Sequence, residues 1–220
     1  MVRVKIDGFS EPGHAYGAAE AGADFVGMIF APGRRQVTTE QALEIVKVVR
    51  ECEKRPALVG VFVNEDAEHV NRVANDLQLD WVQLSGNESW EYCKDIMKPI
   101  IKVIHVAPSD TADRVDSVIK AGSMTSLQHG AICLLDTYSD KAYGGTGKMF
   151  DKELAKEVTR KHPVFIAGGL NPENVGGLVN DVRPWGVDVA SGVEKTPGIK
   201  DHEKVRLFIQ NAKTSARQDL

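Results

Sequence analysis

Two aspartates close short β-branched runs: Asp7 ends residues 2–7, and Asp136 ends residues 131–136 (AICLLD). A carboxylate pair can divide general-acid and general-base work when its surroundings push the two pKa values apart. Two glycine-bearing loops lie later in the chain, Gly168-Gly169-Leu170-Asn171-Pro172 and Ser191-Gly192-Val193-Glu194. At Gly168, Gly169 and Gly192 backbone N–H groups can approach a phosphate with no Cβ in the way. Orphan donors at a helix N-terminus add partial positive charge. Asp188 runs into the second loop, and Arg34 and Arg35 share an earlier one with Pro32 and Gly33. A guanidinium fork pairs bidentately with carboxylate or phosphate. Taken singly, a strand-end aspartate is more often structural and a loop arginine more often solvated. The combination points to acid–base chemistry on a small phosphorylated anion.

Other candidates carry less. Tyr143-Gly144-Gly145-Thr146-Gly147-Lys148 resembles a nucleotide loop only superficially, because Met149 follows the lysine where Ser or Thr is needed. It reads as a flexible loop lining the site. The six histidines (His14, His69, His105, His129, His162, His202) make no HxxxH or HxH pattern, so no metal site is expected. His105, near a strand end, could face the pocket, but a surface or core role is the expected one. Cys52, Cys93 and Cys133 form no CxxC pair and read as reduced thiols of a cytoplasmic protein.

These residues need a scaffold that gathers strand ends. Strand-like runs at 2–7, 23–30, 57–63, 79–84, 99–106, 131–136, 164–167 and 186–190 alternate with helix-patterned stretches. The helices are expected over 12–22, 39–52, 66–76, 88–97, 112–121, 151–161, 172–181 and 201–212, with Thr39 as an N-cap. Eight β-then-α units imply parallel strands joined by right-handed crossovers. In this length they make one (β/α)8 barrel over residues 1–220, an α/β fold. An open doubly wound sheet would carry Gly-x-Gly-x-x-Gly after its first strand, and Asp7-Gly8-Phe9-Ser10-Glu11 stands there instead. Barrel enzymes work at the C-terminal strand ends and often bind phosphate with the loops after strands seven and eight. Asp7, Asp136, Asp188 and both glycine loops fall at those places.

Composition fits a single soluble core. The chain has 220 residues, 42% of them hydrophobic and 26% charged, with a net charge of −4. A pI near 5.9 leaves no basic footprint for nucleic acid. Mean hydropathy is −0.23, and no apolar run approaches the ~18 residues of a membrane span. Residues 1–7 read as no secretory leader, since charge interrupts a short apolar run.

Further motifs carry a resemblance to a known family. They are Val4-Lys5-Ile6-x-Gly8, Gly60-Val61-Phe62-Val63-Asn64, Val82-Gln83-Leu84, Leu134-Leu135-Asp136-Thr137 and the Tyr143–Lys148 stretch. The most specific run from Ala167 to Val175, from Val187 to Glu194, and through Pro197-Gly198-Ile199-Lys200-Asp201. In these, over Val4 to about Ala212, the sequence resembles phosphoribosylanthranilate isomerases of tryptophan biosynthesis. The resemblance implies a cofactor-free, metal-free Amadori rearrangement of N-(5-phosphoribosyl)anthranilate. It implies Asp136 as general acid, Arg35 (or Arg34) on the anthranilate carboxylate, and Asp188 at the site. It also implies Gly168, Gly169, Ser191 and Gly192 as phosphate loops. Only a small substrate is implied as partner, with no nucleic acid or membrane, for a monomer or homodimer.

Three departures accompany the likeness. The family's basic cysteine is Asp7 here, its Gln-Leu-His-Gly is Gln83-Leu84-Ser85-Gly86, and the arginine loop is one residue shorter and lacks a serine. Asp7 is expected to act as base in the cysteine's place, since a carboxylate is readily ionised. Two alternatives stand beside this reading. One is the same chemistry on another phosphorylated aminosugar, such as the histidine-pathway substrate with its two phosphates. The other is a catalytically idle paralogue that binds a phosphorylated metabolite.

Overall fold

The structure is a computed structural model that describes residues 1–137 and 152–215. The β-branched runs become β1 (Arg3–Asp7), β2 (Phe25–Ile29), β3 (Ala57–Phe62), β4 (Trp81–Leu84), β5 (Ile100–Val106), β6 (Ala131–Thr137), β7 (Val164–Ile166) and β8 (Gly186–Val189). They pair in parallel, each with the next, and β1 pairs with β8 to close the barrel. The helices are α1 (Pro12–Ala21), α2 (Thr39–Glu51), α3 (Ala67–Asp76), α4 (Ala112–Ser123), α5 (Lys152–Thr159), α6 (Val175–Val182) and α7 (His202–Ser215). Among the described residues no helix is long and apolar enough to cross a membrane. The stretch Tyr143–Lys148 lies outside the described residues.

Strand alternation sorts the side chains into two cores. One set packs outward under the helices, as when α2 buries Ala42, Ile45, Val46 and Val49. The other fills the barrel. Phe25 meets Phe165 edge-on at 5.4 Å, and Phe165 meets Trp185 at 4.8 Å. These rings, with Trp81, stopper the end where the strands begin. Toward the other end the interior turns polar, with Lys5, Asp7, Gln83 and Asp188 all buried. The three cysteines are buried and unpaired.

Four local expectations need correction. Thr38, not Thr39, caps α2: its side chain accepts from the Gln41 amide while Gln41 returns the bond to the Thr38 amide. The helix expected over 88–97 is only a 3₁₀ turn, Tyr92–Asp95. Tertiary bonds claim that stretch: Glu88 binds the Asn64 and Gly86 amides, and Trp90 Nε1 donates to Val118 O from above α4. Asn71 of α3 holds the Asp95 carbonyl and the Met97 amide. The helix expected from residue 172 begins at Val175, because Asn171 and Asn174 form a side-chain-bonded turn first. After β8 the chain adds a 3₁₀ turn, Ser191–Val193, and a hairpin of β9 (Glu194–Thr196) with β10 (Ile199–Lys200) that periodicity did not foretell.

Candidate active site

A cavity of about 570 Å³ opens at the C-terminal ends of the strands, within the range usual for small-molecule sites. Asp7, Asp136 and Asp188 line it together with Arg34, Arg35, Gly168, Gly169 and Ser191. The barrel therefore gathers eight of the nine site residues expected from sequence. Gly192 sits just behind the wall.

Asp7 is buried and fits because its register partner on β2 is Gly27. A Cβ at Gly27 would collide with Asp7 Oδ1. Asp7 Oδ1 contacts the Lys5 ammonium, and Oδ2 takes a long bond of 3.4 Å from Gln83 Nε2. The Lys5 contact aside, Oδ1 has no hydrogen-bond partner among the described residues. Asp188, on β8 opposite Lys5 in register, accepts from Lys5 Nζ at 3.0 Å. Burial, reinforced by the Asp7 and Asp136 carboxylates, pushes Asp188 up to about 7. Asp136 sits half-buried near the end of β6, in register with His105 of β5.

His105 takes the less expected of the places left open to it, because it lines the cavity. Its Nε2 lies 2.9 Å from the Ser85 carbonyl. A carbonyl only accepts, so Nε2 carries a proton. An imidazole thus reaches the mouth from β5, one strand over from Ser85, where the family places its histidine.

The arginines separate. Arg34 is exposed at the rim. Arg35 is held by Glu194 in a two-bond fork, Nε to Oε1 at 2.6 Å and Nη2 to Oε2 at 2.9 Å. Burial alone would raise Glu194, but Arg35 and Lys200 together hold it below the usual glutamate value. Lys200 Nζ, 3.1 Å from Glu194, also donates to the Ala190 carbonyl. The β9–β10 hairpin thereby fastens the β2 loop to the β8 loop.

Gly168 and Gly169 adopt φ of +93° and +65°, a turn that side-chain-bearing residues rarely make. Asn174 Nδ2 engages the Gly169 carbonyl at 2.9 Å. Gly192 has a different reason for being glycine. A Cβ there would strike the Leu170 carbonyl oxygen and sit 2.9 Å from its carbon. Its smallness lets the β8 turn lie against the β7 loop, a steric reason that stands beside the phosphate-approach reason given above. Gly192→Val should therefore separate the two loops. We expect ~2 kcal/mol of destabilisation from overpacking against backbone, or a fall in Tm of about 4–8 °C for a chain of this size. Thermal melts would show it, and an unshifted Tm would refute the contact.

Four residues of the site were given no role from the sequence. Lys5 had a signal, since period-2 alternation puts it on the same face as Asp7. Gln83 and the roles of Gly27 and Glu194 had none, because each depends on a neighbour distant in the chain.

A closed parallel barrel with a roomy mouth cavity edged by three carboxylates defines an enzyme of the (β/α)8 class. The comparisons with known proteins narrow this. The model of the family described as N-(5'phosphoribosyl)anthranilate (PRA) isomerase matches residues 4–211, and the chain belongs to that family. The N-(5'-phosphoribosyl)anthranilate isomerase of Dehalococcoides mccartyi is 51% identical over 213 residues, covering 97% of this chain and 96% of that one. The crystal structure of the Thermotoga maritima phosphoribosyl anthranilate isomerase is 38% identical with a TM-score of 0.84, covering 97% of this chain and all of the other. A phosphoribosyl anthranilate isomerase solved with reduced 1-(o-carboxyphenylamino)-1-deoxyribulose 5-phosphate is 36% identical with a TM-score of 0.81, over 97% of this chain and all of that one.

Proposed function

We propose that this chain isomerises N-(5-phosphoribosyl)anthranilate to 1-(2-carboxyphenylamino)-1-deoxyribulose 5-phosphate, with Asp136 as general acid and Asp7 as general base. The observation that carries the reading is one cavity holding both carboxylates, with the Gly168-Gly169 and Ser191 loops on its wall. Asp136 gives its proton to the ribose ring oxygen, and the C1′–O bond breaks as the anthranilate nitrogen forms an iminium. Asp7 takes the C2′ proton, and that electron pair forms the enolamine, which tautomerises to the ketose. The loops after β7 and β8 take the phosphate through backbone N–H groups. Arg35, oriented by Glu194, faces the anthranilate carboxylate. Asp188 adjoins the base. The enzyme needs no cofactor and works in the cytoplasm.

The two-phosphate alternative is disfavoured by a specific contact. A second phosphate would need donors in the loops after β3 and β4. There the Asn64 and Gly86 amides already donate to Glu88, at 2.7 and 3.0 Å. The test is a fluorescence assay of phosphoribosylanthranilate consumption by the purified protein, beside the histidine-pathway substrate. Turnover of the first alone is expected. Turnover of neither would leave the idle paralogue. In the same assay Arg35→Gln should raise KM more than Arg34→Gln, and the reverse order would move the carboxylate to Arg34.

A further inference from the structure

Lys5 is fully buried, and the reaction as written does not use it. The register that closes the barrel sets it opposite Asp188, and alternation sets it on the inward face with Asp7. Its ammonium touches Asp7 Oδ1 and lies 3.0 Å from Asp188 Oδ1. One cation thus serves two carboxylates, both buried. With both ionised, the three groups in contact would carry one more negative charge than positive; burial makes that costly, and one bound proton removes it.

The surroundings decide where that proton goes. Asp188 faces the negative charge of Asp7, and that of Asp136 from β6 whenever Asp136 has given up its proton. Asp7 feels two further cations, Arg35 from the β2 loop and Lys200 from β10. From β4 it meets the neutral Gln83 amide, and β3 offers the cavity only Val61. Burial would lower Lys5, but Asp188 and Asp7 more than offset it, so the ammonium stays charged.

We propose that Lys5 is the positioning residue of the base: by sharing one ammonium between two carboxylates it keeps the negative charge on Asp7 and assigns the cluster's single proton to Asp188. This rests on Asp7 being the base. Raised to about 7, Asp188 is the carboxyl poised to hold that proton near neutrality.

The test compares pH profiles of the whole protein. Lys5→Met keeps the length and removes the charge. The acid limb of its kcat/KM profile should move up by ~1–3 pH units, the usual effect of losing an opposite charge at this range. On that acid limb kcat should fall about tenfold for each pH unit of displacement, with KM nearly unchanged because Lys5 does not line the cavity. A folded Lys5→Met with the original profile overturns the proposal. Should that variant not fold, Asp188→Asn gives the ammonium wholly to Asp7 and should move the acid limb down. An unmoved limb there overturns it equally. A carbon-13 carboxyl titration of Asp188 in the unmodified protein reads the charge sharing without turnover. A midpoint near 7 supports it, and one near the ordinary aspartate value of ~3.9 overturns it. The two failures are distinguishable: an active Asp7→Ala variant removes the base, whereas the titration judges Lys5 either way.

Discussion

Asp7→Ala should lower kcat by ~10²–10⁴-fold, the usual span of a general acid–base contribution, while leaving ligand affinity nearly intact. The cause is specific. The variant takes away the group proposed to receive the C2′ proton, and the phosphate loops belong to β7 and β8 on the other side of the barrel seam. Calorimetry with a reduced product analogue, run beside the turnover assay, would show binding without chemistry. Asp7→Cys extends the test. A thiol has a reference pKa of ~8.5, and a neighbouring cation lowers it. Beside Lys5 the cysteine should ionise below that value, so activity should return and rise with pH through the neutral range. If Asp7→Ala turns over like the unmodified protein, Asp7 is a structural partner of Lys5 and not the base.

Asp136→Asn is expected to cost a similar ~10²–10⁴-fold in kcat, because the amide keeps the shape but has no proton of suitable acidity to give the ring oxygen. It should also have a distant effect. Asp136 adds to the repulsion that raises Asp188, so its neutralisation should lower the Asp188 midpoint in a carboxyl titration. Near-normal turnover in a folded Asp136→Asn protein would move the acid elsewhere, and His105, in register with it, would be examined first.

The sequence made most of the frame legible. Its eight β-branched runs set the strands, and their alternation decided which side chains point inward. Placing Asp7, Asp136 and Asp188 at strand ends was enough to bring them to one mouth, because a barrel permits no other address for those positions. The fourth helix was misread for a reason visible in its residues. The 88–97 stretch is short, and Glu88 and Trp90 gain more from distant partners than a local helix could offer.

What the chain determined by itself was thus periodicity: strand count, inward faces, and the glycine loops of the last two units. What only the tertiary structure decided was partnership. Lys5 and Asp188 are 183 positions apart and meet because β1 closes onto β8. Arg35 and Glu194, 159 apart, meet because a hairpin after β8 folds back over the β2 loop. Gly27 and Gly192 must be glycine for the neighbours that closure brings against them, Asp7 in one case and the Leu170 carbonyl in the other. Local pattern follows from a residue's own geometry, whereas charge pairing and steric fit depend on distances through space that no spacing along the chain encodes.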